Sequence, residues 1–453
     1  MTPPWVRHAL FWHIYPLGFL GAEASRAEVS DVRHRLPALE PWLDHAVELG
    51  ASGVLLGPVF ESVGHGYETT DHFTVDPRLG DEDDLVALFA AARSRGLRVV
   101  LDGVFNHVGE DFAVFRRALA GGPASPEASW FRLHWPDPAA PDGGGTPTHD
   151  AFEGHQALVA LNHDEPAVAD HVARVMDYWL SRGADGWRLD AAYAVPPAFW
   201  APVLARVRER HSDVYVVGET IHGDYARIVA DSGMDAVTQY ELWKAIWSSL
   251  NDGNFHELAH ALGRHGEFLR HFVPLTFVGN HDVTRIASRL DDERHLDHAL
   301  AVLFTVAGTP CVYAGDDHGF RGVKEEREGG DDDVRPTFPA SPDELSPLGL
   351  DVFHRHQELI SVRRRHPWLH DARTEVLDVS DRFVVLCSRP ADGEDDGVVV
   401  LLSVDDTERS WGLPAGVPTT GDGPAQILAG EASLDDGGRT VVVPPHGWAV
   451  VGP

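Results

Sequence analysis

The stretch GADGWRLDAAYAV, residues 183–195, places Arg188 and Asp190 inside a run that otherwise reads as buried. Residues two apart in a strand share a face, so an arginine and an aspartate lie side by side where a core strand is apolar. A buried ion pair is weak evidence for stability. On this stretch alone, a functional site and a structural salt bridge near a strand end both stay open.

Working outward, short apolar runs recur at FWHIYPL (11–17), GVLLGPVF (53–60), RVVLDGVFN (98–106), GWRLDAA (186–192), VYVVGET (214–220), AVTQY (236–240), FVPLTFVGNHD (272–282) and TPCVYAGDD (309–317). Amphipathic segments such as LEPWLDHAVELGA, DLVALFAAARSRG and VADHVARVMDYWLSRGA separate them, each with helical periodicity and a glycine near its end. This alternation predicts an α/β fold, a (β/α)8 barrel of parallel strands with helices outside. Two segments break the rhythm. Residues 108–162, rich in Pro, Gly and His, form an insertion after the third strand. From residue 372 strand follows strand without a helix, as in a small β-sandwich. The expected division is 1–107 and 163–371 for the barrel (domain A), 108–162 for the insertion (domain B) and 372–453 for the sandwich (domain C).

The chain has 453 residues, 43% of them hydrophobic and 24% charged, as in ordinary globular proteins. Its formal charge of −33, with 70 acidic residues against 37 basic ones, argues against nucleic acid and anionic membranes as partners. No apolar run is long enough to span a bilayer. The start, MTPPWVRHALFWHIYPLGF, shows no uninterrupted apolar segment after a basic stretch, so no signal peptide is expected. Cys311 and Cys387 are the only cysteines, and buried free thiols with a cytoplasmic location follow. Oligomeric state has no signal in the sequence.

In such a barrel, reactive groups come from the C-terminal ends of strands. Strand three ends in Asp102, Asn106 and His107, strand four in Arg188 and Asp190, strand five in Glu219, and strand seven in His281 and Asp282. Carboxylates, histidines and an arginine thus converge on one mouth. Two carboxyl groups flanking a glycosidic bond are the apparatus of sugar transfer: one attacks the anomeric carbon, the other protonates the leaving oxygen and later activates water. The nucleophile has to stay ionised, and an adjacent guanidinium lowers a carboxylate's pKa. Arg188 is therefore expected to hold Asp190 charged and aimed.

These residues resemble the α-amylase superfamily, glycoside hydrolase family 13. DGVFNH (102–107), GWRLDAA (186–192), GET (218–220) and FVGNHD (277–282) resemble its four ordered signatures, and GYETTDHFTVDPRLG (66–80) its tyrosine-containing segment after the second strand. The resemblance implies Asp190 as nucleophile, Glu219 as general acid/base, and Asp282 as the group that binds sugar hydroxyls and favours the distorted, oxocarbenium-like state. It implies that His107 and His281 hydrogen-bond the sugar in the cleaved subsite, that Tyr67 stacks there, and that Arg188 supports Asp190. Asp102 and Asn106 are expected to brace strand three and its loop.

GGDDDVRP (329–336) resembles the loop by which neopullulanases, cyclomaltodextrinases and maltogenic amylases grip sugar, which implies Asp331 and Arg335 as sugar-binding residues. Against this stands an exposed acidic charge run, in which Arg335→Ala leaves thermal stability nearly unchanged. Departures from the family pattern fall at Gly64 and His65, at Ala191-Ala192-Tyr193-Ala194 and at Thr220-Ile221. These leave chain length and linkage open. No cofactor and no metal site are expected, with calcium left open, because Asn106 lies where α-amylases often use a calcium ligand and the insertion offers no partners.

HELAH (256–260) matches the zinc-protease pattern, with His256 and His260 on one helical face and Glu257 as base. The extended motif needs a third histidine at 266, where Gly266 stands. A silent relative that only binds sugar or another protein is the other rival, but such proteins usually lose the catalytic carboxylates, and all three stand here. The expected function is a retaining glycosidase cleaving α-glucosidic bonds, α-1,4 foremost, in short malto-oligosaccharides or related α-glucans, with transglycosylation as a side reaction. An exo-acting α-glucosidase, or a glucosyltransferase on sucrose or trehalose, is the alternative.

Overall fold

The computed structural model describes residues 2–327, 329–393, 396–413, 425–435 and 438–452. Its largest sheet contains β1 Phe11–Ile14, β2 Gly53–Leu56, β3 Arg98–Gly103, β4 Gly186–Leu189, β5 Tyr215–Gly218, β6 Ala236–Val237, β7 Leu275–Phe277 and β8 Thr309–Tyr313. Their order, β6-β5-β4-β3-β2-β1-β8-β7, keeps chain neighbours adjacent. The strand pairings within the sheet are parallel, as in Arg188↔Asp102 and Arg188↔Val217. A parallel bridge between Thr238 and Leu275 joins the remaining edges. The sheet is a closed (β/α)8 barrel.

Strand β4 is buried from end to end, as strands covered on both faces are. Trp187 and Leu189 pack outward among Trp12, Trp179 and Trp200 in the layer beneath the helices. Residues on the other face point inward. Lower in the barrel they meet an apolar plug of Phe11, Leu55, Val100, Tyr215, Val217, Phe277 and Cys311. One turn of alternation higher stands Arg188, 4% exposed. The sequence run GWRLD is thus one outward apolar row interleaved with one inward polar row.

The surrounding helices follow the same logic. Glu40–Leu49 buries Trp42, Leu43, Ala46 and Leu49, an i, i+1, i+4, i+7 stripe, and ends at Gly50 with φ 99°. Helix Pro166–Arg182 follows the insertion, which holds helix Ala113–Gly121 and the strand pairs His107–Gly109 with Leu158–Ala160 and Leu133–His134 with Thr148–His149.

Beyond helix Leu350–Arg365 come β9 Arg373–Val379, β10 Phe383–Arg389, β11 Val398–Ser403, β12 Arg409–Gly412, β13 Gln426–Gly430, β14 Ser433–Leu434, β15 Thr440–Val443 and β16 Trp448–Gly452. They make a five-stranded sheet, β9-β10-β11-β16-β13, and a three-stranded sheet, β12-β15-β14. Val385, Cys387, Val399, Leu401, Val441, Val443 and Val451 fill the space between the two sheets. The opposite face of the larger sheet, with Val384, Leu386, Val400 and Leu402, joins the barrel's outer core. The stretch 414–424 of the expected sandwich lies outside the described residues. Cys311 and Cys387 are buried and free. Among the described residues no helix is long and apolar enough to cross a membrane.

Candidate active site

Arg188 is the hub of the barrel mouth. Its Nη1 donates to both oxygens of Asp102, at 2.7 and 2.6 Å, and to Asp190 Oδ1 at 3.3 Å. Its Nη2 lies 2.8 Å from Glu219 Oε1 and 3.9 Å from Asp282 Oδ2. One guanidinium therefore faces four carboxylates from four different barrel segments. Burial works against its charge, but Asp102 and then Glu219 outweigh it and hold Arg188 protonated. Burial also pushes Asp102 up to about 6 against the pull of Arg188.

Arg188 reaches Asp190, but Asp190 is one partner among several. Asp102, expected to brace strand three, is the arginine's tightest partner. Asp190 receives the longest of the three close contacts. Its carboxyl is pushed well above the usual carboxylate range, first by burial and then by Glu219, with Arg188 opposing. Arg188 pulls Asp102 and Asp190 down, but for both burial outweighs that pull.

Two of these carboxylates are fixed by the strands. Asp190 and Glu219 each follow the last residue of a barrel strand, Leu189 and Gly218. Ala191, next in the chain, is a non-glycine residue with φ 45°. That left-handed backbone, which costs about 1–2 kcal/mol in a non-glycine residue, turns the Ala191 N–H onto Glu219 Oε2 at 3.0 Å. Strain of this kind gathers at functional sites.

Above the hub opens a cleft of about 480 Å³ whose wall includes Tyr67, His107, Asp190, Glu219, Asp282, Asp331 and Arg335. Arg188 and His281 lie beneath it, against a smaller enclosed cavity. His281 Nε2 meets the Tyr67 hydroxyl and lies 3.1 Å from Asp282 Oδ2. The rings of Tyr67 and His281 stack, 5.7 Å between centroids. The Tyr67 hydroxyl also donates to Asp102 Oδ2 at 3.2 Å. His107 is neutral, its pKa lowered to about 4 by burial. Its Nε2–H donates to the Tyr67 carbonyl at 3.1 Å, leaving Nδ1 to accept from the Asn106 amide at 3.1 Å.

The loop at 329–336 is not a solvated charge run at its functional end. The Arg335 side chain is only 9% exposed and reaches Asp282 Oδ1 at 2.8 Å and Asp331 Oδ2 at 3.0 Å. It also donates through Nε to the His281 carbonyl at 2.9 Å and lies over the Tyr15 ring. The expectation that Arg335→Ala spares stability rested on exposure, and that exposure is absent.

Several wall residues carried no signal in the carboxylate pattern. Tyr240 and Trp243 come from the helix after β6, and Phe152 and Glu153 from the insertion. Phe152 stacks on His107 at 4.9 Å, and Tyr193 donates to Glu153 Oε1 at 2.7 Å, tying the turn after Asp190 to the insertion. Tyr240 begins the helix that follows β6, and its ring at the barrel mouth is as much a site signal as a charged group there. Phe152 and Glu153 lie in a segment without periodicity.

The rival zinc motif does not assemble. Glu257 is paired with Lys244, and His256 lies 3.5 Å from Asp381. None of the metal-ligand clusters among the described residues includes them. Nor do those clusters fall in the insertion. Asn106 gives its amide N–H to His107.

The α-amylase catalytic-domain model matches residues 36–343. A cyclomaltodextrinase from a Bacillus species is 29% identical over 432 residues, covering 88% of this chain and 73% of that protein. A maltogenic α-amylase from Bacillus acidopullulyticus is 27% identical, covering 81% and 64%. Among solved structures, the cyclic α-maltosyl-(1→6)-maltose hydrolase of Arthrobacter globiformis superposes with TM-score 0.81 at 26% identity, covering 99% of each chain. With a barrel, a carboxylate-lined mouth and a family match over most of its length, this chain belongs to the α-amylase family of glycoside hydrolases, family 13.

Proposed function

We propose that this glycoside hydrolase acts with retention on α-glucosidic bonds, α-1,4 foremost, in short malto-oligosaccharides or related α-glucans, with a sugar acceptor able to replace water. The observation that carries this is the placing of Asp190, Glu219 and Asp282 around one arginine at the floor of one cleft. Asp190 attacks the anomeric carbon while Glu219 gives its proton to the departing oxygen. Glu219 then takes a proton from water as the bond to Asp190 breaks. Of the two carboxyls, Glu219 carries the proton that the leaving oxygen takes up and Asp190 reacts as its anion. Asp282, braced by Arg335, faces the sugar. Relatives named cyclomaltodextrinase, maltogenic amylase and neopullulanase support the substrate class. Relatives named intracellular maltogenic amylase support a cytoplasmic location.

Proton NMR during early turnover of maltotriose tests the stereochemistry. The α-anomer is expected first, since Asp190 and Glu219 in a retaining enzyme stand about 5–5.5 Å apart. An initial β-anomer makes the enzyme inverting and overturns the roles. Asp190→Asn should lower turnover by several orders of magnitude while still binding maltooligosaccharide. A product profile on maltotriose, maltoheptaose, cyclodextrins, pullulan, trehalose and sucrose separates this reading from an exo-acting α-glucosidase or a disaccharide glucosyltransferase.

A further inference from the structure

Tyr240 opens the helix Tyr240–Asp252, directly after β6, and is 7% exposed. Its ring is wedged edge-on against Phe277 at 4.9 Å and Trp243 at 5.7 Å. Its hydroxyl lies 3.3 Å from Glu219 Oε1 and 2.9 Å from Asn280 Nδ2. The direction of these bonds can be worked out. Asn280 Oδ1 accepts the Asp282 backbone N–H at 2.9 Å, which fixes the amide with its nitrogen toward the tyrosine. An amide nitrogen only donates, so the phenol oxygen accepts from Asn280 and spends its own hydrogen on Glu219.

We infer that Tyr240 is a positioning residue for the acid/base step, its hydroxyl stabilising the carboxylate that Glu219 becomes as its proton moves to the leaving oxygen. This rests on the acid/base reading of Glu219. In glycosylation the C1–O bond breaks, Asp190 bonds to C1, and the Glu219 proton ends on the departing hydroxyl. Negative charge grows on Glu219 in that transition state, where a fixed donor acts most strongly. The phenol keeps its hydrogen for this purpose, because burial, then Glu219 and Asp282, hold it well above the usual tyrosine range. Asn280 adds a second consequence. The same side chain anchors the Asp282 backbone and the Tyr240 hydroxyl, so the groups facing the sugar ring and the leaving oxygen share one brace.

The test compares maltotriose with an activated aryl α-glucoside, whose leaving group departs without a proton. In Tyr240→Phe, kcat/KM for maltotriose is expected to fall at least roughly tenfold, the effect of losing a hydrogen bond to a charged group. The aryl glucoside should change little, and the alkaline limb of the maltotriose profile should move to higher pH, because the acid keeps its proton longer. Asn280→Ala, which leaves the ring in place, should shift the limb the same way by less. Equal losses on both substrates with an unmoved limb would reduce Tyr240 to packing and overturn the inference. Glu219→Gln separates the two levels: it must abolish maltotriose cleavage, and full activity there would sink the acid/base assignment itself.

Discussion

Arg335 shows how a side chain far along the sequence enters the reacting centre. It bridges Asp282 and Asp331 and holds the His281 carbonyl, so its removal leaves Asp282 with His281 and a distant Arg188. Arg335→Ala should therefore lower kcat/KM on oligosaccharide and activated aryl glucoside alike by about 1.5–3 kcal/mol, the worth of hydrogen bonds to charged groups. The melting temperature should fall as well, since a nearly buried pair loses one partner. Steady-state kinetics on both substrates with a thermal melt checks this. Loss confined to long substrates would place Arg335 at a remote subsite instead. The motif GGDDDVRP was enough to single out the arginine, yet its charge pattern read equally as an exposed run. What the sequence hides is the long-range partner: Asp282 stands 53 residues earlier in the chain. For the same reason Arg188 and Asp190 were legible as a pair, two residues apart, whereas the tighter bond to Asp102 crosses from strand to strand.

Among the elements, the strands of the barrel were legible because each is a short apolar run between helical stripes. Each quoted run extends past its strand's C-terminal end, where the chain leaves the ladder to present polar groups. The barrel's ring is also uneven. Strand β6 has two residues, and it meets β7 only through the Thr238–Leu275 bridge, with the Gln239 N–H donating to the Leu275 carbonyl at 2.9 Å. By contrast β2 and β3 pair over four registers. Local opening follows the weakest ladder, so amides of residues 236–240 should exchange with deuterium sooner than those of 98–103. A ligand spanning Glu219 and Asp282 should slow them. Mass-spectrometric exchange with and without an oligosaccharide bound to Asp190→Asn reads both effects, and uniform protection around the ring would contradict the picture. The short insertion elements were not legible, because pairs such as Leu133–His134 with Thr148–His149 are too brief to leave a period.

At the scale of the whole molecule, the histidines set the response to acid. Burial lowers His13, His171 and His298 to about 3, and His72, His107, His265 and His370 to about 4. In the unfolded chain a histidine titrates near 6.5. Between that value and about 4 the unfolded state binds protons that the folded state refuses, so stability falls as pH drops. Asp102 and Asp316, raised to about 6 by burial, and Asp190, Asp235 and Asp297, also raised by burial, act the other way but are fewer. The melting temperature should fall on the order of 5–10 °C from pH 7.5 to pH 5, read by circular dichroism in matched ionic strength. A flat profile would mean that the folded chain takes up those protons after all. Composition alone could count the histidines, but only the packing tells which are enclosed. The placement of Asp190 and Glu219 has a different kind of consequence. Each stands one residue beyond a barrel strand, in the frame itself, while Phe152, Glu153, Tyr193 and Trp243 belong to the connections around it. Grafting or lengthening those connections can therefore redraw which glucan is admitted while the pair that breaks the bond stays where the barrel puts it, and a descendant of this chain could change its diet without relearning its chemistry.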